Sequence, residues 1–562
     1  MIKKILLTLL LIVYVICLQA QLIVNGHVAL YDQKTATWLV SISEQHFEND
    51  VNLPVSLQTE WQQLYINDES VSDHYTFHNI TAESAYAVRM VHNDGHQVEG
   101  TIRFTFLPLV CIEGTFGYEY QDATVTIINA NHSVDDVYSA RIKWRGGTTN
   151  GLDKHKRNYS IKFTNDVQLF DMRSDNNWML DAGQADVFRL RNRIAMDIWN
   201  DMATKPYYAD QEPKALNGVK GRVIEVFLND EYRGIYNLSE KLDRKQMKLK
   251  KVGMNGDIHG VLYKGVSFNN TSMNDSIYQY NNYSETLFGY EAKYPEPGDD
   301  NDSTDWRPLV DALNRTLILA YDSEQFEQEI AEWFDIPVMV DYSVFLSSVN
   351  ALDNSGKNMF WAIYDKETTK RLTPAPWDLD CTFGQRWGGK LTEGDPSHAS
   401  PAYLSDVVVS VFWLLYRDNA LQFNDQLNER YQQLRQPGNI LATDSLISRF
   451  TYYYQILKKS GAAKRETAKW SQDTDLVGEV IDFDYEYDYI CNWIDQHLSI
   501  IDYRGFPVYY FNEKGTDVSV NLLHVQNTQQ NAIYTLSGQR LDQRAMPRHG
   551  IYIVNGRKVV IR

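Results

Sequence analysis

The sequence predicts an α+β protein in which a β-rich part precedes a helical part, with small all-β modules flanking both. Three observations predict this. Short segments rich in Val, Ile, Tyr, Thr and Phe, bounded by Asn, Asp and Gly, recur as far as about residue 263. Beyond Asp305 the apolar residues return every three or four positions, the helical period. The last fifty-odd residues go back to β, ending in two short apolar strands around Asn555-Gly556, a hairpin signal.

Composition sets the outer bounds. A chain of 562 residues with 43% hydrophobic content can bury a sizeable core, which excludes disordered, collagen-like and disulfide-scaffold classes. The formal net charge of −19 argues against nucleic acid as a partner, because such binding needs Lys and Arg to displace counterions from phosphate. Residues 1–20 read as a secretory signal peptide. Lys3 and Lys4 precede an apolar run, 5–18, too short to span a membrane, and Leu18-Gln19-Ala20 offers a small residue for cleavage. The mature chain is therefore expected outside the cytoplasm, in the periplasm, at the cell surface or beyond it. No integral span is expected, and surface tethering stays open. Cys111, Cys381 and Cys491 then remain, an odd and scattered set that excludes a C-x-x-C zinc cluster.

Residues 21–107 read as a β-sandwich-like module, with strands at 28–31, 38–42, 63–66, 85–91 and 100–107. The main body, 108–505, opens with strands at 124–128, 138–144 and 158–163, the first two followed by the polar turn Arg145-Gly146-Gly147-Thr148-Thr149-Asn150-Gly151. Leu190, Ile194, Ile198 and Met202, four apart, predict a helix over 186–203. A hairpin follows at 223–238, and the Asn- and Ser-rich stretch 268–304 reads as an excursion loop. Helices are predicted at 306–320, 323–333, 336–349, 407–417, 421–434, 442–458 and 485–504. Residues 506–562 form a C-terminal β module. It resembles the terminal modules of exported Bacteroidota proteins, some of which are sorting signals, and reads equally well as a small cap.

The chemistry concentrates in 341–387. Asp378 and Asp380, at i and i+2 on an extended segment, project to one side and can hold a hard cation through oxygen. Asp353 followed by Asn358 repeats the spacing of a kinase catalytic loop. Such a pair recurs by chance, so only its order after a β lobe, helix, hairpin and helical lobe gives it weight. Trp377 reads as a core anchor for the acidic segment. No H-E-x-x-H, G-x-S-x-G or Walker-type loop is present, which removes the usual support for zinc protease, esterase-type hydrolase and P-loop readings.

Several motifs in order resemble the spore-coat protein H (CotH) kinase family. They are Ile142-Lys143-Trp144-Arg145-Gly146-Gly147-Thr148-Thr149, Lys156-Arg157-Asn158-Tyr159-Ser160-Ile161-Lys162-Phe163, Trp178-Met179-Leu180 and Leu190-Arg191-Asn192. Glu225-Val226-Phe227-Leu228-Asn229, Tyr232-Arg233-Gly234-Ile235-Tyr236, Ser239-Glu240-Lys241, Asn358 and Pro376-Trp377-Asp378-Leu379-Asp380 follow. Gly147 and Ser160 depart from the family pattern, and Gly151-Leu152-Asp153 lengthens the turn. The resemblance implies an atypical protein-kinase-like fold with a β-rich N-lobe and a helical C-lobe. It implies transfer of phosphate from ATP, with Mg2+, to Ser or Thr hydroxyls of a protein acceptor.

On that basis Asp353 is the catalytic carboxylate and Asn358 a magnesium ligand. Asp378 or Asp380 is the main metal ligand, Asp378 slightly preferred. Arg145, Gly146, Gly147 and Thr148 cover the phosphates, and Lys162 pairs with them. Glu240 belongs to the segment lining the adenine pocket. From the residues alone, Lys162 also reads as a solvated strand residue and Glu240-Lys241 as a surface pair. The competing reading of the whole chain is a catalytically idle, kinase-like surface binding or adhesion protein.

Overall fold

Alternating side chains dictate the seven-stranded barrel in the middle of the chain. In the computed structural model the strands Leu109–Gly114, Gln121–Ile128, Asp136–Arg145, Asn158–Gln168, Ser174–Asp181, Gly221–Leu228 and Glu231–Glu240 close on one another. Closure comes from a parallel pairing of the first strand with Gly221–Leu228 (Leu109 opposite Glu225, Ile112 opposite Leu228). Tyr159, Ile161, Phe163, Trp178, Leu180, Tyr236 and Leu238 pack inside. Their neighbours in sequence, Asn158, Met179, Asp181, Asn237 and Ser239, therefore project from the outer wall.

The described residues are 22–267, 277–298, 302–385, 410–471, 473 and 481–506, with the backbone of 533–535, 540–541, 550–554 and 557–561; the side chains of Thr148 and Leu352 are excepted. The signal peptide, the start of the helix expected from 407, parts of the expected loop 268–304 and the turn Asn555-Gly556 lie outside them.

Residues 22–105 form a four-stranded and a six-stranded sheet. Both contribute to one apolar cluster that includes Leu22, Trp38, Leu53, Phe77, Val88 and Phe104. This module is tied to the barrel by His27, whose Nδ1 lies 2.7 Å from Asp135 Oδ1, and by the Tyr232 amide, which donates to Asp32.

Between Asp181 and Gly221 the chain leaves the barrel to form the helix Arg191–Met202. The helix starts later than its apolar period suggests, because Asp186 and Arg189 close a hydrogen-bonded turn just before it. Its buried face joins the largest apolar cluster, centred on the helix Ile336–Val349. Nearly every residue of that second helix is buried, so its sequence is apolar all round rather than striped. The helices Arg307–Leu319, Ser323–Trp333, Val411–Arg417, Phe423–Leu434, Thr443–Lys459, Ala462–Trp470 and Phe483–Arg504 also belong to this part.

A five-stranded sheet, containing Val261–Gly265, Tyr290–Tyr294, Met359–Ile363 and Thr373–Pro376, lies among these helices. Tyr290–Tyr294 falls within the stretch expected to be a loop. Its buried Tyr290 and Ala292 alternate with polar residues, and it pairs antiparallel with Val261–Gly265. The chain divides into two units, 1–508 and 509–562. In the second, Gly550–Val554 and Arg557–Ile561 pair as a hairpin within a four-stranded sheet. Among the described residues no helix is long and apolar enough to cross a membrane.

One buried carboxylate ties the barrel to the helix Ala462–Trp470. Glu466 accepts from Arg189 Nε at 2.8 Å and from the Ile235 amide at 2.7 Å, and it lies 3.0 Å from Lys156 Nζ. Burial pushes the Lys156 ammonium below its usual range, with Glu466 pulling the other way. Glu466→Gln leaves two buried cations short of their counter-charge, which costs about 3–5 kcal/mol. The expected result is a lower urea midpoint with an unchanged slope; an unchanged midpoint would show that the pair contributes nothing.

Candidate functional site

A cavity of roughly 380 Å³ opens between the outer wall of the barrel and the loops that follow the helix Ile336–Val349. The barrel side supplies Asn158, Met179, Asp181, Asn237 and Ser239, the residues that alternation turns outward. The other side supplies Lys264, Asp353, Lys357, Trp377, Asp378, Asp380 and Cys381. Arg145, Gly146, Gly147, Thr149 and Lys154 line the rim where the strand Asp136–Arg145 turns.

The turn needs its first glycine. Gly146 has φ +107°, and a Cβ there would stand 2.1 Å from Thr149 Oγ1, which itself donates to the Arg145 carbonyl. The Arg145 guanidinium is held below its usual range by burial, while Asp378 and Asp181 oppose that shift. It also lies 5.9 Å from the centre of the Trp377 ring.

Residues 353–358 are fastened from several directions. The Tyr342 hydroxyl donates to the Asn354 carbonyl at 2.7 Å, and Asn354 Nδ2 donates to the Trp377 carbonyl at 2.6 Å. The Asn358 amide donates to the Gly265 carbonyl, and its own carbonyl accepts from the Trp377 amide. Gly265 permits this approach, since a Cβ there would sit 1.9 Å from the Gly356 oxygen. Within the loop, the Asp353 carboxylate accepts from Asn358 Nδ2 at 2.8 Å and from Lys357 Nζ at 2.9 Å. Burial works against the Lys357 charge, but Asp353 and then Asp378 outweigh it and raise its pKa. Asn358 and Asp378 both adopt left-handed backbone, φ +56° and +57°. Asn and Asp tolerate that region better than other L-residues, so local strain selects residue types that also bear oxygen.

Asn192, in the first turn of its helix, orients the acidic segment. Its Nδ2 donates to Asp181 Oδ2 at 2.7 Å, and its Oδ1 accepts from the Leu379 amide at 2.9 Å. Asp181 Oδ1 also accepts from the Gly183 amide. Burial nonetheless raises the Asp181 pKa, and repulsion from Asp378 adds to the shift. The effect is stronger at Asp380, where burial comes first and Asp378, Asp181, Asp353 and Asp186 all push upward. Lys264 is pushed down by burial, against the attraction of Asp378 and Glu291.

Of the residues singled out in the sequence, Arg145, Gly146, Gly147, Asp353, Asp378 and Asp380 meet in this cavity, and Asn358 braces Asp353. The Thr148 side chain is not described. Lys162 shares the outward face of Asn158 but stands further along the strand, opposite Arg141 and Asn177, and is not among the lining residues. Glu240 lies outside the cavity too. Its carboxylate accepts from the Arg173 and Lys220 amides and from Gln246 Nε2, which makes it a buried clamp rather than a surface partner. Sequence reasoning missed Asp181, Lys264 and Lys357; it named Asn192 within a motif, as a residue fixing the helix against the sheet, but not its hold on the acidic segment. Lys264 had a visible signal, a lysine closing the apolar run Val261-Leu262-Tyr263.

The donor set suits a hard cation. Four aspartates share the cavity, with Asp353 buried, Asp181 and Asp380 half-buried and Asp378 exposed, so negative charge gathers on its carboxylate side. Among the described residues no three of them bring oxygens within 4.8 Å of one another. Magnesium does not require that, because it is commonly held by one or two carboxylates plus phosphate oxygens and water.

A cationic, glycine-bearing turn facing a cluster of carboxylates defines a protein that can bring an anionic ligand and a cation together. The family model described as CotH kinase protein matches residues 142–501, a span that takes in both walls of the cavity. The chain belongs to the CotH kinase family and is a kinase-like protein. No curated protein matches it.

The Asp380 shift fixes the sign of a pH effect. Its folded pKa lies above the ordinary carboxylate value, so the folded protein keeps a proton that the unfolded chain releases. That stabilising contribution is present at low pH and is lost as pH rises from the ordinary range through the folded pKa. In divalent-free buffer Asp380→Asn should therefore have a higher Tm than the parent at pH 8, with the gap closing toward pH 4. Equal Tm values at both pH values would contradict the assignment.

Proposed function

We propose that this protein is an exported, magnesium-dependent phosphotransferase that moves the ATP γ-phosphoryl group to a Ser or Thr hydroxyl of a protein acceptor. The observation that carries the proposal is the meeting of the 145–149 turn with Asp353, Asp378 and Asp380 in one cavity. In this reading the barrel acts as an N-lobe and the helical part as a C-lobe, with the nucleotide between them. Export rests on residues 1–20.

Bound magnesium–ATP supplies the transferable phosphoryl group and the cation that offsets its charge. Asp378 and Asp380 hold the cation through carboxylate oxygens, and Asn358 assists through its amide oxygen. The raised Asp380 pKa fits this role, since a bound cation gives the buried carboxylate a reason to ionise. Backbone N–H groups of Gly146 and Gly147 approach the phosphate oxygens, and Arg145 and Lys264 stabilise charge developing there. Lys264, already on the cavity wall, takes the phosphate-pairing role that the resemblance assigns to Lys162. Asp353 orients the acceptor hydroxyl and takes its proton at a carboxylate oxygen, while Lys357 donates to that carboxylate from beside it.

Calorimetry with ATP, with and without MgCl2, and label transfer from γ-labelled ATP to casein or to the chain itself test this. Binding should require magnesium and be lost in Asp378→Ala. Asp353→Asn should bind magnesium–ATP yet transfer label about 10²–10⁴-fold more slowly. Equal transfer by the parent and Asp378→Ala would overturn the assignment.

A further inference from the structure

The tip of a hairpin in the 22–105 module gathers a second, separate set of ligands. The strands Tyr86–His92 and Gln97–Thr105 are joined by a tight turn in which the Gly95 amide donates to the His92 carbonyl and Gly95 takes φ +92°. The His92 amide donates to the His96 carbonyl, so the two histidines face each other across the hairpin. Their rings stack at 4.3 Å between centres, 25° apart in plane. Trp61 packs edge-on against both, at 5.2 Å and 5.3 Å.

Asp94, at the apex, reaches back between them. Its Oδ1 lies 2.9 Å from His92 Nδ1 and 2.6 Å from His96 Nδ1, and it accepts from the His96 amide at 3.0 Å. The Asp94 amide also meets His92 Nδ1, at 3.3 Å.

We propose that His92, Asp94 and His96 bind one borderline divalent transition-metal ion, of the zinc or copper class. All three offer ligand atoms that lie within 4.8 Å of one another, from a single five-residue turn. Two imidazole nitrogens and one carboxylate oxygen are a donor set for zinc, copper or nickel rather than for magnesium. The site is also held in shape. The Asn93 amide donates to the Glu60 carbonyl, Asn93 Nδ2 donates to the Thr59 carbonyl, and Glu60 Oε2 lies 4.0 Å from His92 Nε2, behind the ring. Asp94 and His96 are exposed, which leaves the remaining coordination positions to water or to a partner's side chain.

The test uses the full chain without an affinity tag, stripped with EDTA, and titrated calorimetrically with ZnCl2. A Cu2+ EPR spectrum reads the donors directly. One zinc ion per chain is expected, with at least about tenfold weaker binding in His96→Gln and in Asp94→Asn, because even outer partners of a metal site are commonly worth that much. The copper spectrum should show coupling to two nitrogens, reduced in His96→Gln. Zinc binding should persist in the double variant Asp378→Asn plus Asp380→Asn, which separates this site from the acidic cavity. Zinc binding unchanged in His96→Gln, or abolished by the double variant alone, would overturn the proposal.

Discussion

Arg191 carries a full positive charge into a place where its side chain has no exposed surface, and the candidate site is assembled around the groups that neutralise it. Its guanidinium pairs with Asp186 at 2.7 Å and with Glu486, and donates to the Thr382 carbonyl at 3.1 Å. Burial alone would lower its pKa, but Glu486 and Asp186 more than compensate and raise it. A charge held this way cannot lose one partner cheaply, since the desolvation already incurred is left unopposed. Arg191 therefore locks together the turn before one helix, the chain just after the acidic segment, and the helix Phe483–Arg504. Asn192, the next residue, inherits that fixed position and uses it to align Asp181 with Leu379.

The cavity follows from this lock. Asp181 comes from the barrel, and Asp378 and Asp380 from irregular chain after the strand Thr373–Pro376, where the left-handed turn at Asp378 replaces the extended run expected from the sequence; like charges drift apart unless their backbones are held. Here a short strand, an asparagine side chain and the Arg191 lock hold them in place. Burial first, and repulsion from Asp378 after it, raises the pKa of both Asp181 and Asp380. The left-handed backbone at Asn358 and Asp378 stores a smaller, steric strain in the same place. Stability is given up where a cation can restore it, a common signature of functional sites.

The sequence made some of this legible and hid the rest for physical reasons. The helices Ser323–Trp333 and Ile336–Val349 lie where their spacing and apolar content put them. Asp353, Asn358, Asp378 and Asp380 were readable because they sit within one short stretch whose order carries meaning. Asp181, Lys264 and the contact of Asn192 with the acidic segment were not, because only tertiary closure brings three separate elements around one cavity. Alternation put Lys162 on the correct face but could not say how far along the strand the cavity extends. The helix Ala462–Trp470 escaped notice because its inward face includes Glu466, and a buried charge reads in sequence like a solvated one. Tyr290–Tyr294 was hidden by polar neighbours, although its Tyr–Ala alternation was the clue.

The pairing of Arg191 with Glu486 also has a temporal side. A chain made from its N-terminus completes the barrel strands, the turn at Gly146 and every aspartate of the cavity well before Glu486 emerges. Until then Arg191 lacks one of its two counter-charges, and the segment bearing Asp378 and Asp380 is anchored on one side only. The growing polypeptide thus holds all its candidate chemistry in unfinished form until the helix Phe483–Arg504 is in place.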